Sequence, residues 1–311
     1  MREHQMINRR TILKSISFVA VSSFLPNVAE AHEDTPFSNQ KNSHKIISAN
    51  IRVDLPEDEK EGVGWSVRRD ITVKILKAHK PDIICLQEVL KGQNEDLKRM
   101  LPNFQSFGFE GPEMDPIPTG YHGIAKNPIM YLKSRYDLIA SGTYWLSETP
   151  LIGGSKSWDT GRARHVNWLR LLDKKMGNQF RVINVHLDHL SQNAREKQIT
   201  LLLKESSQYD NSFPQILAGD FNEDASNKVI NMIKKQGWSD SYIHINGEGE
   251  PGFTGHAFKG KVNTSKKGKI DFIFTRGLIT PLAASIIRDD VGGRYPSDHF
   301  FISANVIIPS R

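Results

Sequence analysis

The stretch Ile216-Leu217-Ala218-Gly219-Asp220-Phe221-Asn222 decides how the chain is read. An apolar run stops at a glycine, then presents a carboxylate and an amide two residues apart. The run reads as a buried strand ending in a turn. Residues i and i+2 of a strand face the same side, so Asp220 and Asn222 are expected to point together into one site at the strand's end. A carboxylate that orients or deprotonates water, beside an amide that binds an oxyanion, suits hydrolysis of a phosphate ester. An Asx-type turn that only caps the strand gives the same letters, so the flanking sequence has to decide.

Just upstream, Phe180 to His189 is another apolar strand with polar groups at its end. His186, Asp188 and His189 crowd there, with His186 and Asp188 on one face, which favours a catalytic His186. Helical spacing follows over Ser191 to Ser206 and again over Val229 to Gln236. Downstream, Lys269-Ile270-Asp271-Phe272-Ile273-Phe274 is a strand carrying one buried-looking Asp, costly unless paired. Tyr295-Pro296-Ser297-Asp298-His299-Phe300 precedes a final strand, 301–308. A bond from Asp271 to His299 would fix the imidazole tautomer and raise its basicity. The Lys-rich loop 259–269 reads as a solvated charge run.

Towards the N-terminus the pattern is α/β. Residues 45–52 form a first strand, with Asn50 at its end able to ligate a hard cation or bind phosphate. Residues 55–64 are acidic and Gly-bearing, hence a loop. Residues 67–79 have helical spacing, ended by Pro81, and 82–89 form a buried strand, a β-α-β start. Its end carries Glu88, and a carboxylate there suits Mg²⁺. Residues 91–122 read as a long irregular segment. Residues 129–132 and 138–145 read as paired strands. A strand then starts near Val166, with Arg164 and Asn167 placed to contact phosphate oxygens.

The 311 residues suit one large domain or two small ones, and 38% hydrophobic with 24% charged residues is globular composition. No run of 18 apolar residues occurs that would span a membrane. The formal charge of +6 biases the chain mildly toward anionic partners. Residues 1–31 read as an export signal: Arg9-Arg10 precede an apolar stretch, Ile16 to Leu25, and Ala29-Glu30-Ala31 is a cleavage pattern. The paired arginines resemble a twin-arginine signal; an ordinary secretory signal is the alternative. The mature chain is thus expected to start near His32, in the periplasm or outside the cell. Residues 32–44 read as a disordered lead-in and 45–311 as the domain. Cys85, the sole cysteine, sits in an apolar run and reads as an inert core thiol.

The ordered set Asn50, Leu86-Gln87-Glu88, His186, Gly219-Asp220-Phe221-Asn222, Ile270-Asp271 and Ser297-Asp298-His299 resembles the endonuclease/exonuclease/phosphatase superfamily, from about Lys45 to Ile308. The resemblance implies an α/β fold: a four-layer α/β/β/α sandwich of two mixed sheets flanked by helices. It implies phosphoester hydrolysis dependent on Mg²⁺ or Mn²⁺. The ion would sit on Glu88, with Asn50 near it or near the scissile phosphate and Asp298 supporting the metal side. Asp220 would activate water with Asn222 beside it. His299, paired with Asp271, and His186 would bind phosphate and stabilise its charge. The implied partner is a phosphoester, either nucleic acid or a phospholipid or small phosphodiester, with no obligate protein partner. A sphingomyelinase-like esterase and a catalytically weakened binding protein are the alternatives to a nuclease. One departure stands out. Many members carry a further acid ahead of the strand resembling 128–131, where this chain reads Gly123-Ile124-Ala125-Lys126-Asn127. Asp159 or Asp188 substitutes, or His186 works without that partner.

Overall fold

The computed structural model describes residues 42–109, 125–250, 252–262 and 267–309. The export-type segment and residues 32–41 lie outside the described residues. One sheet contains β1 (His44–Asn50), β2 (Ile83–Gln87), β3 (Phe104–Phe107), β4 (Ile129–Leu132), β11 (Thr280–Ile287) and β12 (Phe301–Ile307), in the order β11-β12-β1-β2-β4-β3. The other contains β5 (Tyr136–Trp145), β6 (His165–Asp173), β7 (Gln179–His186), β8 (Gln215–Asp220), β9 (Ser239–Asp240) and β10 (Asp271–Arg276), in the order β5-β6-β7-β8-β10-β9. Both are mixed: β1 runs parallel to β2 and β7 to β8, and the remaining pairs are antiparallel.

The central strands are apolar on both faces, as strands covered on both sides must be. Ile46, Ile83 and Ile216 point into a core between the sheets, where they meet Leu169, Phe180 and Val182. Their neighbours Ile47 and Ile84 face outward onto Ile71, Ile75 and Leu76 of helix α2 (Trp65–His79). Leu217 faces outward onto Ile199 and Leu202 of α4 (Gln192–Ser206) and Ile230 and Ile233 of α5 (Lys228–Lys235). The order is therefore helix, sheet, sheet, helix, as the family resemblance implies. Cys85 is buried in the inter-sheet core and burial raises its thiol pKa, so it stays protonated. Caps fix where α4 and α5 begin: Ser191 and Asn227 accept the N–H groups of Ala194 and Val229.

Three local expectations need correction. The strands at 129–132 and 136–145 do not pair; β4 joins the first sheet and β5 the second. Periodicity cannot say which sheet a strand enters, and here Arg135 decides. It binds Asp82 of the first sheet's side at 2.8 Å and Asp173 at the end of β6 at 3.1 Å, which fixes the crossover. The segment 91–122 is not irregular at its start: α3 (Lys91–Met100) and β3 precede residue 110, and residues 110–124 lie outside the described residues. The inward face of α3 is Gln93, Asn94 and Leu97, so it lacks an apolar stripe to read. The acidic segment 55–64 contains a helical turn, α1 (Pro56–Lys60), started by its proline.

Candidate active site

Strand register delivers the site. His186 ends β7 opposite Asp220 at the end of β8, and Asp220 stands opposite Asp271, the first residue of β10. Three adjacent strands thus present an imidazole and two carboxylates in one row. Across the cleft, Asn50 ends β1 and Glu88 follows the end of β2. The sheets are locked beneath them by Gln87 Nε2 donating to Asn184 Oδ1 (2.8 Å) and Asn184 Nδ2 donating to Leu86 O (2.8 Å).

The strand ends turn sharply. Arg52, Glu88 and Asn222 have φ of 54°, 60° and 56°, each costing about 1–2 kcal/mol for a side-chain-bearing residue. Such strain at a shared site is typical of functional geometry. Asn222 therefore does not reach the site by strand alternation. The strand ends at Asp220, whose Oδ1 accepts the Asn222 backbone N–H at 2.8 Å, and the left-handed turn swings the amide back. Gly219 is required here: with φ of 150°, a Cβ would lie 1.9 Å from Val185 O on β7.

The predicted residues converge. One oxygen or ring nitrogen each from Glu88, His186 and Asp220 lie within 4.8 Å of one another, and so do those of Asp220, Asp271 and His299. His299 Nδ1 is 2.9 Å from Asp271 Oδ2 and 3.9 Å from Asp220 Oδ2. Asn222 Nδ2 donates to His186 Nε2 at 3.0 Å and to Leu187 O at 3.0 Å. Nε2 is therefore an acceptor and the His186 proton sits on Nδ1. That buried Nδ1 has no hydrogen-bond partner among the described residues.

Electrostatics separate the roles. Burial, followed by the charge of Asp271, pushes the Asp220 carboxyl up to about 7. Burial works against charge on His299, but Asp271, Asp220 and Asp298 outweigh it and raise its pKa well above the usual imidazole value. Burial lowers the pKa of His186, helped by Arg164 and His299, and keeps it neutral. The site therefore offers a near-neutral base, a cationic imidazolium and a neutral imidazole side by side.

Other residues take up different work. Asn50 accepts the Arg52 backbone N–H through Oδ1 (2.9 Å), so its amide hydrogens face the carboxylates of Glu88 (3.1 Å) and Asp220 (3.0 Å). As placed, it clamps two acids and does not aim its oxygen at a cation. Asp298 belongs to neither three-residue group. It pairs with Arg52 Nη1 at 2.7 Å, and Arg52 in turn holds Asp58 at 2.6 Å. Through that pair Asp298 anchors the turn after β1. Asn167 is fully buried and spends both amide hydrogens on Gly108 O and Asn127 O, leaving none for phosphate. Arg164 stays at the site edge, one residue before β6, with Nη2 3.3 Å from His189 Nδ1. Asp188 does not replace the acid missing near Ala125. Its carboxylate accepts from the Thr160 hydroxyl and the backbone N–H groups of Gly161, Arg162, Leu190 and Ser191, at 2.7–3.4 Å. It welds the 146–164 loop to the turn after β7. Arg52 and Asp58 were not legible as site residues; their only sequence signal is a basic residue two positions after Asn50 and an acidic run beyond it.

Facing sheets with an acid- and imidazole-lined cleft at their strand ends define an α/β-sandwich hydrolase. The chain belongs to the endonuclease/exonuclease/phosphatase family, whose model matches residues 47–299. It is similar to the endonuclease/exonuclease/phosphatase of Bacteroides vulgatus, with a TM-score of 0.76 and 27% identity over 86% of this chain and 99% of that one. It is also similar to a Bacteroides thetaiotaomicron mannosyl-6-phosphatase, with a TM-score of 0.75 and 27% identity over 85% of this chain and 100% of that one. An uncharacterised protein of Acanthamoeba polyphaga mimivirus is 29% identical over 51% of this chain, which spans 60% of that relative's length.

Proposed function

We propose that the chain is an exported hydrolase of phosphoester bonds that depends on Mg²⁺ or Mn²⁺. The observation that carries this reading is the pair of three-residue groups sharing Asp220. The donor set fits a hard divalent cation: Glu88 and Asp220 would hold it, with His186 alongside. Asp271 Oδ1 is a buried acceptor with no hydrogen-bond partner among the described residues, and burial together with the charge of Asp271 raises Asp220. Both features suit a nearby positive charge. When bound, the ion supplies Lewis-acid polarisation of the phosphoryl oxygens.

The remaining work falls to the chain. Asp220 orients the attacking water and takes up its proton. Asn222 keeps its amide at the same cleft and fixes the His186 ring. His299, held cationic by Asp271, binds the phosphate and neutralises charge that grows during in-line attack. His186, held neutral by burial and with Nε2 accepting from the Asn222 amide, lines the cation side of the cleft.

Export rests on the Arg9-Arg10 segment and the Ala29-Glu30-Ala31 pattern. Purified residues 32–311 should hydrolyse bis-p-nitrophenyl phosphate or p-nitrophenyl phosphate with Mg²⁺ or Mn²⁺ and lose that activity with chelator. Mannose 6-phosphate joins the substrate panel because one structural neighbour bears the name mannosyl-6-phosphatase. Metal-independent turnover, or none on any phosphoester, contradicts the reading.

A further inference from the structure

The four most exposed large apolar side chains among the described residues are Leu151 (92%), Leu190 (69%), Val262 (63%) and Ile152 (60%). All four stand on loops that join strand ends on the side of the active site. β6 runs antiparallel to both β5 and β7. The loop carrying Leu151 and Ile152 and the turn carrying Leu190 therefore emerge beside His186. The two touch: a Cβ on Gly161 would meet Leu190 Cδ1 at 2.8 Å. Val262 lies on a third loop. That loop leaves from His256, whose N–H bonds Asp298 O at 2.8 Å, and returns at Lys267, which donates to Asn222 O at 2.6 Å.

Basic residues are interleaved with these apolar ones. Lys156, Lys259 and Lys261 are exposed and Arg162 is half-buried, against Glu148 and Asp159 on the same rim. Isolated exposed leucines are ordinary. Their concentration on three loops around one cleft, with cations between them, is not. Aliphatic side chains do not stack on bases, and the half-buried aromatics on these loops are already engaged: Trp158 Nε1 donates to Glu148 at 3.1 Å and the Phe258 ring lies 5.5 Å from the Arg52 guanidinium. A protein seated on this rim would close the cleft, whereas a bilayer would bring phosphoesters to it. Aliphatic tips flanked by lysines match the boundary of an anionic membrane, with apolar groups below the headgroups and cations among them.

We propose that this rim docks the protein on an anionic phospholipid surface with the cleft facing the headgroups. Any hydrolysis of a headgroup ester rests on the phosphoesterase reading; the docking itself does not. The test is co-sedimentation of residues 32–311 with phosphatidylcholine vesicles and with phosphatidylcholine–phosphatidylglycerol vesicles. It compares wild type, the triple variant Leu151→Ser, Ile152→Ser, Leu190→Ser, and a control, Leu278→Ser. Leu278 is also exposed but lies at the opposite end of the second sheet, bonded through its N–H to Ser212 O. Wild type and the control should bind the anionic vesicles alike, and the triple variant roughly tenfold or more weakly. All three should hydrolyse bis-p-nitrophenyl phosphate equally. Absence of vesicle binding, or binding untouched by the triple substitution, overturns the proposal. So does binding to a DNA oligonucleotide that the triple variant loses while wild type ignores vesicles. Failure of all three proteins on the soluble ester indicts the hydrolase reading instead, and the vesicle result still judges the rim.

Discussion

Asp220 and Asp271 stand opposite each other on antiparallel strands, and both approach the same imidazole, His299. Burial opposes charge on Asp220, and the neighbouring Asp271 adds to the cost. Asp220 bears the consequence, with its carboxyl pushed up to about 7.

The first prediction follows from that carboxyl. Its folded pKa lies above the ordinary 3.8, so Asp220 is protonated below about 7 in the cation-free protein. A divalent ion must displace that proton. Apparent Mn²⁺ affinity should rise by about tenfold per pH unit up to roughly pH 7 and then level off, with about one proton released per ion at pH 6. Calorimetry in two buffers of different ionisation enthalpy measures the release. Affinity independent of pH between 5.5 and 7 would show that Asp220 is not where the ion binds.

The Asp271–His299 pair gives the second. Asp271→Asn removes the charge that keeps His299 cationic, so the imidazole pKa falls. Activity that needs imidazolium should then drop by about 10²–10³ in kcat at neutral pH, and the basic limb of the pH–rate profile should move to lower pH. Losing the Asp271 Oδ2–His299 Nδ1 bond should also lower stability, most fully below the ordinary imidazole pKa, where the raised His299 contributes in full. An unmoved basic limb would remove His299 from the phosphate-binding role.

Asp188 supports the third. It is a positioning residue that joins two loops of the rim. Burial opposes its charge, but hydrogen bonds led by the Ser191 N–H and the Thr160 hydroxyl win and lower its pKa below 3.8. A depressed carboxyl contributes stability above its unfolded pKa and loses it as pH falls through the folded value, here below about pH 4. Asp188→Ala should cost about 2–4 kcal/mol, leaving several donors unsatisfied. It should raise KM more than it lowers kcat. Urea unfolding at pH 7 and pH 3.5 checks the sign: the gap between wild type and variant should narrow at the lower pH.

The fourth concerns Arg135, far from the cleft. It bridges Asp82 and the fully buried Asp173 at the crossover between sheets. Arg135→Ala should destabilise the fold by roughly 3–5 kcal/mol through an uncompensated buried carboxylate. Specific activity per folded molecule should stay the same. Lost activity in a fully folded variant would mean that the sheet crossover reaches the site.

How much of this was legible follows from what each signal encodes. Ile46-Ile47, Ile83-Ile84 and Ile216-Leu217 revealed the layers because strands covered on both faces must be apolar throughout. Glu88, Asp220, Asp271 and His299 were legible because polar groups at the ends of such strands are expensive without a purpose. Sheet membership of β4 and β5 was hidden, since it depends on long-range pairing through Arg135. α3 was hidden because it buries Gln93 and Asn94, which look solvent-facing in sequence. Asn167 and Asp188 looked like site groups because polarity near a strand end does not reveal what a side chain bonds. Backbone donors and acceptors claim both.

The central claim is that Glu88 and Asp220, 132 positions apart in the numbering, jointly hold one divalent ion. Anomalous diffraction from crystals of residues 32–311 grown with Mn²⁺ tests it most directly. The account predicts a peak bonded at roughly 2.0–2.3 Å to carboxylate oxygens of both residues, absent in Glu88→Gln crystals. A peak ligated by neither carboxylate, or no peak at saturating Mn²⁺, would contradict it.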